Sequence, residues 1–169
     1  MAVVTTKTTR ISNAENATQT LDSPGVNHGK LRRVVATLEA VSGDSIASQY
    51  RMVRVHSSWS IASIRLFCDA ITTCAGDVGL YQCSAKPNNG GAVVSATTYA
   101  SAVSLASAIT TGTEIAYEAR DIANLQRQVW QDAGATTDPN TFYELTVTLT
   151  AAAGSAGTIS LEVWYVGNE

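Results

Sequence analysis

The sequence alternates apolar with polar or small residues over most of its length, and this period of two limits its fold more than any other feature. Successive side chains of a β-strand point to opposite faces, so the pattern predicts strands that turn one face toward a core. The clearest examples are residues 143–150 and 159–166, where every second side chain is apolar. The chain is therefore predicted to fold mainly as β-sheet.

Further strands are predicted at short intervals, over residues 31–41, 48–55, 60–70, 77–83 and 113–119. In the first of them, Val34, Ala36, Leu38 and Ala40 alternate with Val35, Thr37, Glu39 and Val41. Residues 91–108 fit a helical turn and a strand equally well, so they are predicted as a short strand plus an irregular piece. The small-residue connection at 151–157 predicts that the last two strands form a hairpin.

One short α-helix is predicted over residues 121–134. Asp121 is a suitable N-cap, Ile122, Leu125 and Val129 form an apolar stripe, and Gly134 suits the left-handed residue at the end. We expect this helix to close one end of the sheets. Seven or eight strands with one helix predict an antiparallel β-sandwich of jelly-roll or Greek-key type.

The domain organisation follows from length and from a change in composition. A chain of 169 residues has the size of one domain with one core. Residues 1–29 are rich in Thr and Asn and lack sustained alternation, so they are predicted to form an extended N-terminal arm. Residues 30–169 are predicted to form the β-sandwich domain.

The charge content excludes some classes of function. Charged residues make up 15% of the chain, and 11 basic against 14 acidic residues give a net charge of −3. We therefore expect no nucleic-acid partner. No run of 18 apolar residues and no signal-peptide pattern is present, so no membrane association is expected. Low charge is typical both of ordinary β domains and of subunits that neighbouring chains cover.

The sequence nominates no catalytic residue, no cofactor and no metal site. His28 and His56 are predicted to be loop histidines, and the serines beside His56 lack the G-x-S-x-G turn that would present a nucleophile. Cys68, Cys74 and Cys83 have no chelating spacing, so they are predicted to be buried or half-buried apolar residues. The protein is therefore not expected to be an enzyme.

The three tryptophans, Trp59, Trp130 and Trp164, fit two roles. Aromatic side chains on a β-sandwich can stack on sugars, but they more often anchor a core or an interface. The second role is favoured because Trp130 lies beside the apolar stripe of the predicted helix. An exposed pair of rings beside a groove would favour sugar binding instead.

Four stretches of the chain resemble a known family. They are SIASIRLFCDAITTCAGDVGLYQ, GGAVVSATTYASAVSLAS, RDIANLQRQVW and DPNTFYELTVTLTAAAGSAGTISLEVWYV. Over about residues 30–166 the sequence is similar to small virion structural proteins of tailed bacteriophages, of the head-decoration or capsid-cement type. Its most distinctive piece is GDVGLY at 76–81. The resemblance implies a non-enzymatic β-sandwich that binds the outer capsid surface and strengthens the shell.

The partner that the resemblance implies is the major capsid protein, and the chain is expected to form a homo-oligomer, for which a trimer is one arrangement. Assembly is expected in the host cytoplasm, and the final location is the virion exterior. Basic groups near the start of the domain would suit an acidic protein surface. The residues expected to contact a partner are Lys7, Arg10, Ile11, Leu21, Arg32 and Arg33. A minor head, neck or tail component and a carbohydrate-binding sandwich remain alternatives.

Overall fold

The structure is a computed structural model that describes residues 6–15, 18, 29–83 and 91–167. Within these residues the chain forms eight strands and two short helices. The strands are β1 Lys30–Ala40, β2 Gln49–His56, β3 Ser60–Cys68, β4 Ala75–Gln82, β5 Val93–Ser104, β6 Ile109–Glu114, β7 Phe142–Ala151 and β8 Gly157–Gly167. The helices are α1 Thr9–Glu15 and α2 Val129–Asp132, and a single 3₁₀ turn spans Ile122–Asn124.

The strands form two four-stranded antiparallel sheets. One sheet has the order β1-β8-β3-β6, and the other has the order β2-β7-β4-β5. The first half of the chain therefore pairs with the second half in nested fashion: β1 with β8, β2 with β7, β3 with β6 and β4 with β5. This nesting is the topology of a jelly roll. The predicted antiparallel β-sandwich is confirmed.

The core lies between the inner faces of the two sheets, as the period-two pattern predicts. In β1 the side chains of Val34, Ala36, Leu38 and Ala40 point inward and the intervening ones are exposed. A β-bulge in β2 between Arg51 and Val53 places both Tyr50 and Val53 in the core, although they are three positions apart. A second bulge in β3 does the same for Ile61 and Ile64. Such bulges add one residue and shift the inward face by one position.

Two glycines permit close approaches that shape the sheets. A Cβ atom at Gly79 would lie 2.1 Å from the carbonyl oxygen of Ser95, so β5 can lie this close to β4 only because Gly79 has no side chain. Gly112 has a φ of +75°, and a Cβ there would lie 2.5 Å from the ring of Phe67. The ring of Phe67 therefore covers the backbone of β6 on the outer face of its sheet.

The predicted terminal hairpin is wrong. β7 pairs with β2 and β4 in one sheet, whereas β8 pairs with β1 and β3 in the other. The short connection at 152–156 thus crosses from one sheet to the other. The predicted strand at 113–119 is also misplaced, because β6 ends at Glu114 and the buried Ile115 begins the connection to β7. Residues 91–108 contain one strand of 12 residues with three register shifts.

The single helix predicted over 121–134 is wrong in its extent. Asp121 does cap a helical start, accepting from the N–H of Ala123, but the 3₁₀ turn ends at Asn124. Gln128 is extended, with ψ near 159°, and α2 starts after it. The break lets the N–H of Val129 donate to the carbonyl of Trp59 at 2.8 Å. The segment packs against the sandwich: Val129 is fully buried, and the N–H of Trp130 donates to the carbonyl of Ser57 at 3.0 Å.

The described part of the N-terminal arm contains a helix where extended chain was predicted. The hydroxyl of Thr8 accepts from the N–H of Ile11 at 3.4 Å, which satisfies an N–H group at the start of α1. Lys7 and Glu15 pair at 2.6 Å across this helix. The division into an arm over 1–29 and a domain over 30–169 stays a prediction.

Candidate interaction surface

An ionic and aromatic cluster occupies the outer face of the β1-β8-β3-β6 sheet, around Glu162 on β8. The carboxylate of Glu162 accepts from Nε of Arg33 at 2.5 Å and from the indole Nε1 of Trp164 at 3.0 Å. Arg65 on β3 lies 3.9 Å from its other oxygen. Glu162 is only 8% exposed, because these side chains cover it. We call these four residues the Glu162 cluster.

The register of the strands explains why these residues meet. Val35 on β1, Glu162 on β8 and Arg65 on β3 stand side by side in one row across the sheet. Arg33 and Trp164 form the next row, and the guanidinium of Arg33 lies 5.8 Å from the centre of the indole ring. Cross-strand neighbours on one face interact directly, so the cluster holds the central strands of this sheet in register.

Exposed apolar side chains border this cluster along β1. Leu31 and Val35 are 57% and 50% exposed, and they point to the same outer face as Arg33. Arg33 and aromatic groups next to uncovered aliphatic side chains form a composition common at protein interfaces. The arrangement can bind a protein surface, but it offers no pair of groups for proton transfer to a substrate.

The structure places the residues predicted to contact a partner as follows. Arg32 and Arg33 both lie on β1, on opposite faces, and Arg33 is engaged by Glu162. Lys7 precedes α1 and pairs with Glu15, and Ile11 on α1 is 48% exposed. Leu21 and the side chain of Arg10 lie outside the described residues. Partner contact by these six residues stays a prediction.

A second ionic pair is buried, and both of its residues belong to the connection between β6 and β7. Arg120 and Asp132 pair at 2.5 Å, and the side chain of each is only 3% exposed. Tyr99 donates its hydroxyl to Asp132 at 3.2 Å, and Arg120 also donates to the carbonyls of Ile61 and Arg127. Burial raises the pKa of Asp132 to about 6, although the charge of Arg120 opposes this shift. The pair ties the long connection to the sandwich.

The same end of the molecule presents an exposed apolar tip. Ile122 and Leu125, in and after the 3₁₀ turn, are 82% and 47% exposed. Next to this segment, Trp59 stacks on Tyr165 with ring centres 4.1 Å apart. Phe142 packs edge-on against His56, with ring centres 4.8 Å apart. Trp59 therefore anchors the core, as predicted for this tryptophan.

The histidine and cysteine side chains of the described residues have structural environments. His56 contacts the hydroxyl of Ser58 at 2.8 Å within one turn, and the backbone N–H of Ser58 points at the same ring nitrogen. His28 lies outside the described residues. Cys68 and Cys74 are buried and Cys83 is half-buried, as predicted, and burial raises the pKa of all three thiols.

Two further findings concern only the part of the chain that the structure describes. It contains no group of three or more His, Cys, Asp or Glu side chains placed to hold a metal ion. It also contains no helix long and apolar enough to cross a membrane.

Sequence reasoning missed Glu162, Arg65, Arg120 and Asp132. Glu162 lies in a strand of alternating apolar residues, and a lone carboxylate between Leu161 and Val163 is the available signal that it needs a cationic partner. The pairing of Arg120 with Asp132 depends on the break between the 3₁₀ turn and α2. The residue spacings that bring side chains together on a continuous helix do not predict the pairing of Arg120 with Asp132.

These observations define the class of the protein as an eight-stranded jelly roll with an ionic and aromatic outer face. Jelly rolls occur in viral capsid and lectin domains, among others. No family model and no curated protein matches the sequence. Among solved structures, the chain is similar to a chain of the cyanophage Pam1 capsid asymmetric unit, with a TM-score of 0.57 and 14% identity over 90% of this chain and 96% of that one. It is also similar to a chain of the capsid of Ralstonia phage GP4, with a TM-score of 0.51 and 13% identity over 82% and 86% of the two chains. At this identity the comparison establishes the fold.

Proposed function

We propose that this chain is a non-enzymatic structural protein of a phage virion that binds the outer surface of the capsid and stabilises the shell. The observation that carries the proposal is the extent of the fold match, which covers 96% of a chain in the Pam1 capsid asymmetric unit. The similarity of residues 30–166 to head-decoration and cement proteins supports the same role. The partner is then the major capsid protein.

The stabilising effect follows from linkage. A protein that binds the closed shell and not its dissociated subunits shifts the equilibrium toward the closed shell, and the shift grows with the area bound. A low charge content of 15% favours such close packing, since few ionic groups need to be desolvated. The surface available includes the exposed Ile11 and Ile122.

The capsid contact in this proposal is made by the N-terminal arm together with the start of β1. Lys7, Arg10, Ile11 and Leu21 belong to the arm, and Arg32 lies where the arm enters the sheet. Twenty-nine residues of extended chain can span about 95 Å, and a helical portion shortens this reach without removing it. An arm of this length can reach across a subunit boundary.

The tryptophan environments favour this role over sugar binding. Trp59 is buried, and the indole N–H of Trp130 donates a hydrogen bond to the side-chain oxygen of Gln128. The guanidinium of Arg33 lies over the ring of Trp164. A sugar site needs an uncovered ring face beside a groove. Within the described residues, one groove on the outer face of the β1 sheet is lined by Phe67, whose ring packs on Gly112. A minor head, neck or tail role differs from decoration only in copy number.

The test is reconstitution on capsids that lack this protein. Purified chain is added, particles are sedimented, and the temperature at which they release DNA is measured with a fluorescent dye. The proposal predicts saturable binding and a higher release temperature. The double variant Lys7→Gln and Arg10→Gln should bind about tenfold more weakly, which corresponds to about 1.4 kcal/mol.

The matched control for this variant carries Ser101→Glu and Thr150→Glu, two exposed positions on the sandwich. It changes the net charge by the same two units but leaves the arm intact, so it should bind as the unaltered chain does. Failure of the unaltered chain to bind these capsids would refute the proposed function. Equal weakening by both double variants would refute the role of the arm.

A further inference from the structure

The outer edge of β1 differs from the other three sheet edges of the described sandwich. β1 pairs with β8 over 11 consecutive positions without a register shift. β2 contains a bulge, β5 has three register shifts, and β6 has only 6 residues and a register shift. Bulges and short length are the devices that keep sheet edges from pairing with other strands. Among the described strands, none pairs with the other edge of β1.

The residue pattern of β1 is complementary to itself in antiparallel orientation. Its first part carries Arg33 on the outward face, and its last part carries Glu39 on the same face. Residues directly opposite in an antiparallel pair share a face, so outward residues must meet outward residues. When Ala36 lies opposite Ala36 of a second copy, Arg33 lies opposite Glu39, and Leu31 lies near Val41, which follows β1 and whose N–H donates to the carboxylate of Asp44.

This alignment also covers the exposed aliphatic side chains of this edge. Leu31, Val35 and Val41 are 57%, 50% and 60% exposed in the single chain. A register shifted by two positions would place Leu31 opposite Glu39 and Arg33 opposite Thr37, which loses both the ionic and the apolar match. The charge pattern therefore selects one register.

We propose that two copies of this chain pair through β1 in antiparallel fashion, with a two-fold axis at Ala36, so that the two β1 sheets join into one sheet of eight strands. The contact is isologous: Arg33 of each copy faces Glu39 of the other. Within each copy Arg33 donates to Glu162 and Glu39 accepts from the hydroxyl of Thr158, so the pair between copies shares these groups with β8.

The dimer has a consequence that rests on the proposed function. The two copies of Lys30 lie 12 strand positions apart, which is about 40 Å at 3.4 Å per residue. The two β1 strands therefore begin at opposite ends of the joined sheet, and one arm precedes each of them. A decoration dimer of this shape can hold two neighbouring capsid subunits at once, whereas a single copy offers one arm.

The first test uses the purified full-length chain without capsids, so that its failure does not depend on the proposed function. Sedimentation equilibrium should give twice the monomer mass of 17.7 kDa. Val35→Lys places a lysine on the paired edge and should raise the dimer dissociation constant at least about tenfold. The matched control Val93→Lys changes an equally exposed valine on β5 and should remain dimeric.

The second test fixes the register. Opposite residues in an antiparallel pair have Cα atoms about 4.5–5.5 Å apart, which suits a disulfide. Ala36→Cys should therefore form a covalent dimer on mild oxidation. Leu31→Cys should not, because its two copies would lie about 34 Å apart.

Three results would overturn the proposal. A monomeric full-length chain would mean that another segment covers β1, such as residues 19–28 of the same chain or a strand of the capsid protein. A trimer would require a head-to-tail contact, which two antiparallel β1 strands cannot make. A dimer that survives Val35→Lys and fails to crosslink through Ala36→Cys would lie on another surface.

Discussion

At the scale of single residues, the buried pair of Arg120 and Asp132 has the largest expected effect on stability. Each side chain is 3% exposed, and the pair joins the connection between β6 and β7 to Tyr99 and to the carbonyl of Ile61. Removing one partner of a buried pair leaves the other charge uncompensated, whereas replacing both with apolar groups can be nearly neutral.

We expect Arg120→Met to reduce the free energy of unfolding by about 3–5 kcal/mol, because Asp132 then loses its cation in a buried site. Urea titration monitored by tryptophan fluorescence measures this change. The double variant Arg120→Met with Asp132→Leu should recover a large part of the loss. A single variant within about 1 kcal/mol of the unaltered protein would contradict the structural role of the pair.

The raised pKa of Asp132 predicts a pH dependence with a definite sign. The folded chain binds this proton with a pKa of about 6, against 3.8 for an ordinary carboxyl. Between these values the folded state holds more protons than the unfolded state. This group therefore makes stability fall as pH rises from about 4 to 6, by up to about 3 kcal/mol.

The measurement compares the unaltered chain with Asp132→Asn from pH 4 to 7 by urea titration. The amide cannot titrate, so the difference between the two free energies should change across this window and level off above it. Carboxyls such as Glu144, whose pKa the hydrogen bonds from Arg51 and Arg54 lower against the effect of burial, contribute equally to both curves. Parallel curves would show that Asp132 does not titrate in this range.

At the scale of elements, Gly79 controls how β5 lies on β4. Gly79→Ala places a Cβ 2.1 Å from the carbonyl oxygen of Ser95 on β5, so this strand must move. We expect the substitution to lower the free energy of unfolding by about 2–3 kcal/mol. The control Gly134→Ala has open space around it and only a left-handed backbone, with a φ of +76°, so it should lose about 1 kcal/mol. Thermal unfolding followed by circular dichroism gives both values. Equal losses would contradict the close approach of β5.

Local pattern predicted the regular strands well and the irregular ones poorly. β1 has an unbroken alternation and an unbroken register, so its two faces could be separated residue by residue. In β2 the bulge before Val53 interrupts the alternation, so Tyr50 and Val53 both face the core. A bulge shifts the alternation by one residue, and its position is set by the partner strand, which the sequence does not identify.

The errors in connectivity have a similar cause. The short connection between β7 and β8 predicted a hairpin, but the nested pairing of a jelly roll sends these strands to different sheets. The partners of β8 are β1 and β3, which lie far away in the sequence. The Glu162 cluster draws its residues from three strands, so it could not be predicted before that pairing was known.

At the scale of the whole molecule, the arm and the sandwich are expected to have separate roles. Every fully buried core side chain of the described residues lies between Ala40 and Val163. We therefore expect deletion of residues 2–25 to leave the thermal midpoint nearly unchanged while abolishing binding to capsids. Circular dichroism and particle sedimentation measure the two properties. Full binding by the folded deletion variant would show that the arm does not anchor the chain.

The central claim is that this chain is a decoration protein of a phage capsid, and its copy number per particle tests this claim most directly. Quantitative mass spectrometry of purified virions, with the major capsid protein as internal standard, gives that number. The account predicts hundreds of copies in a simple ratio to the shell protein. About twelve copies or fewer would place the chain in the neck or tail, and its complete absence from virions would contradict the account.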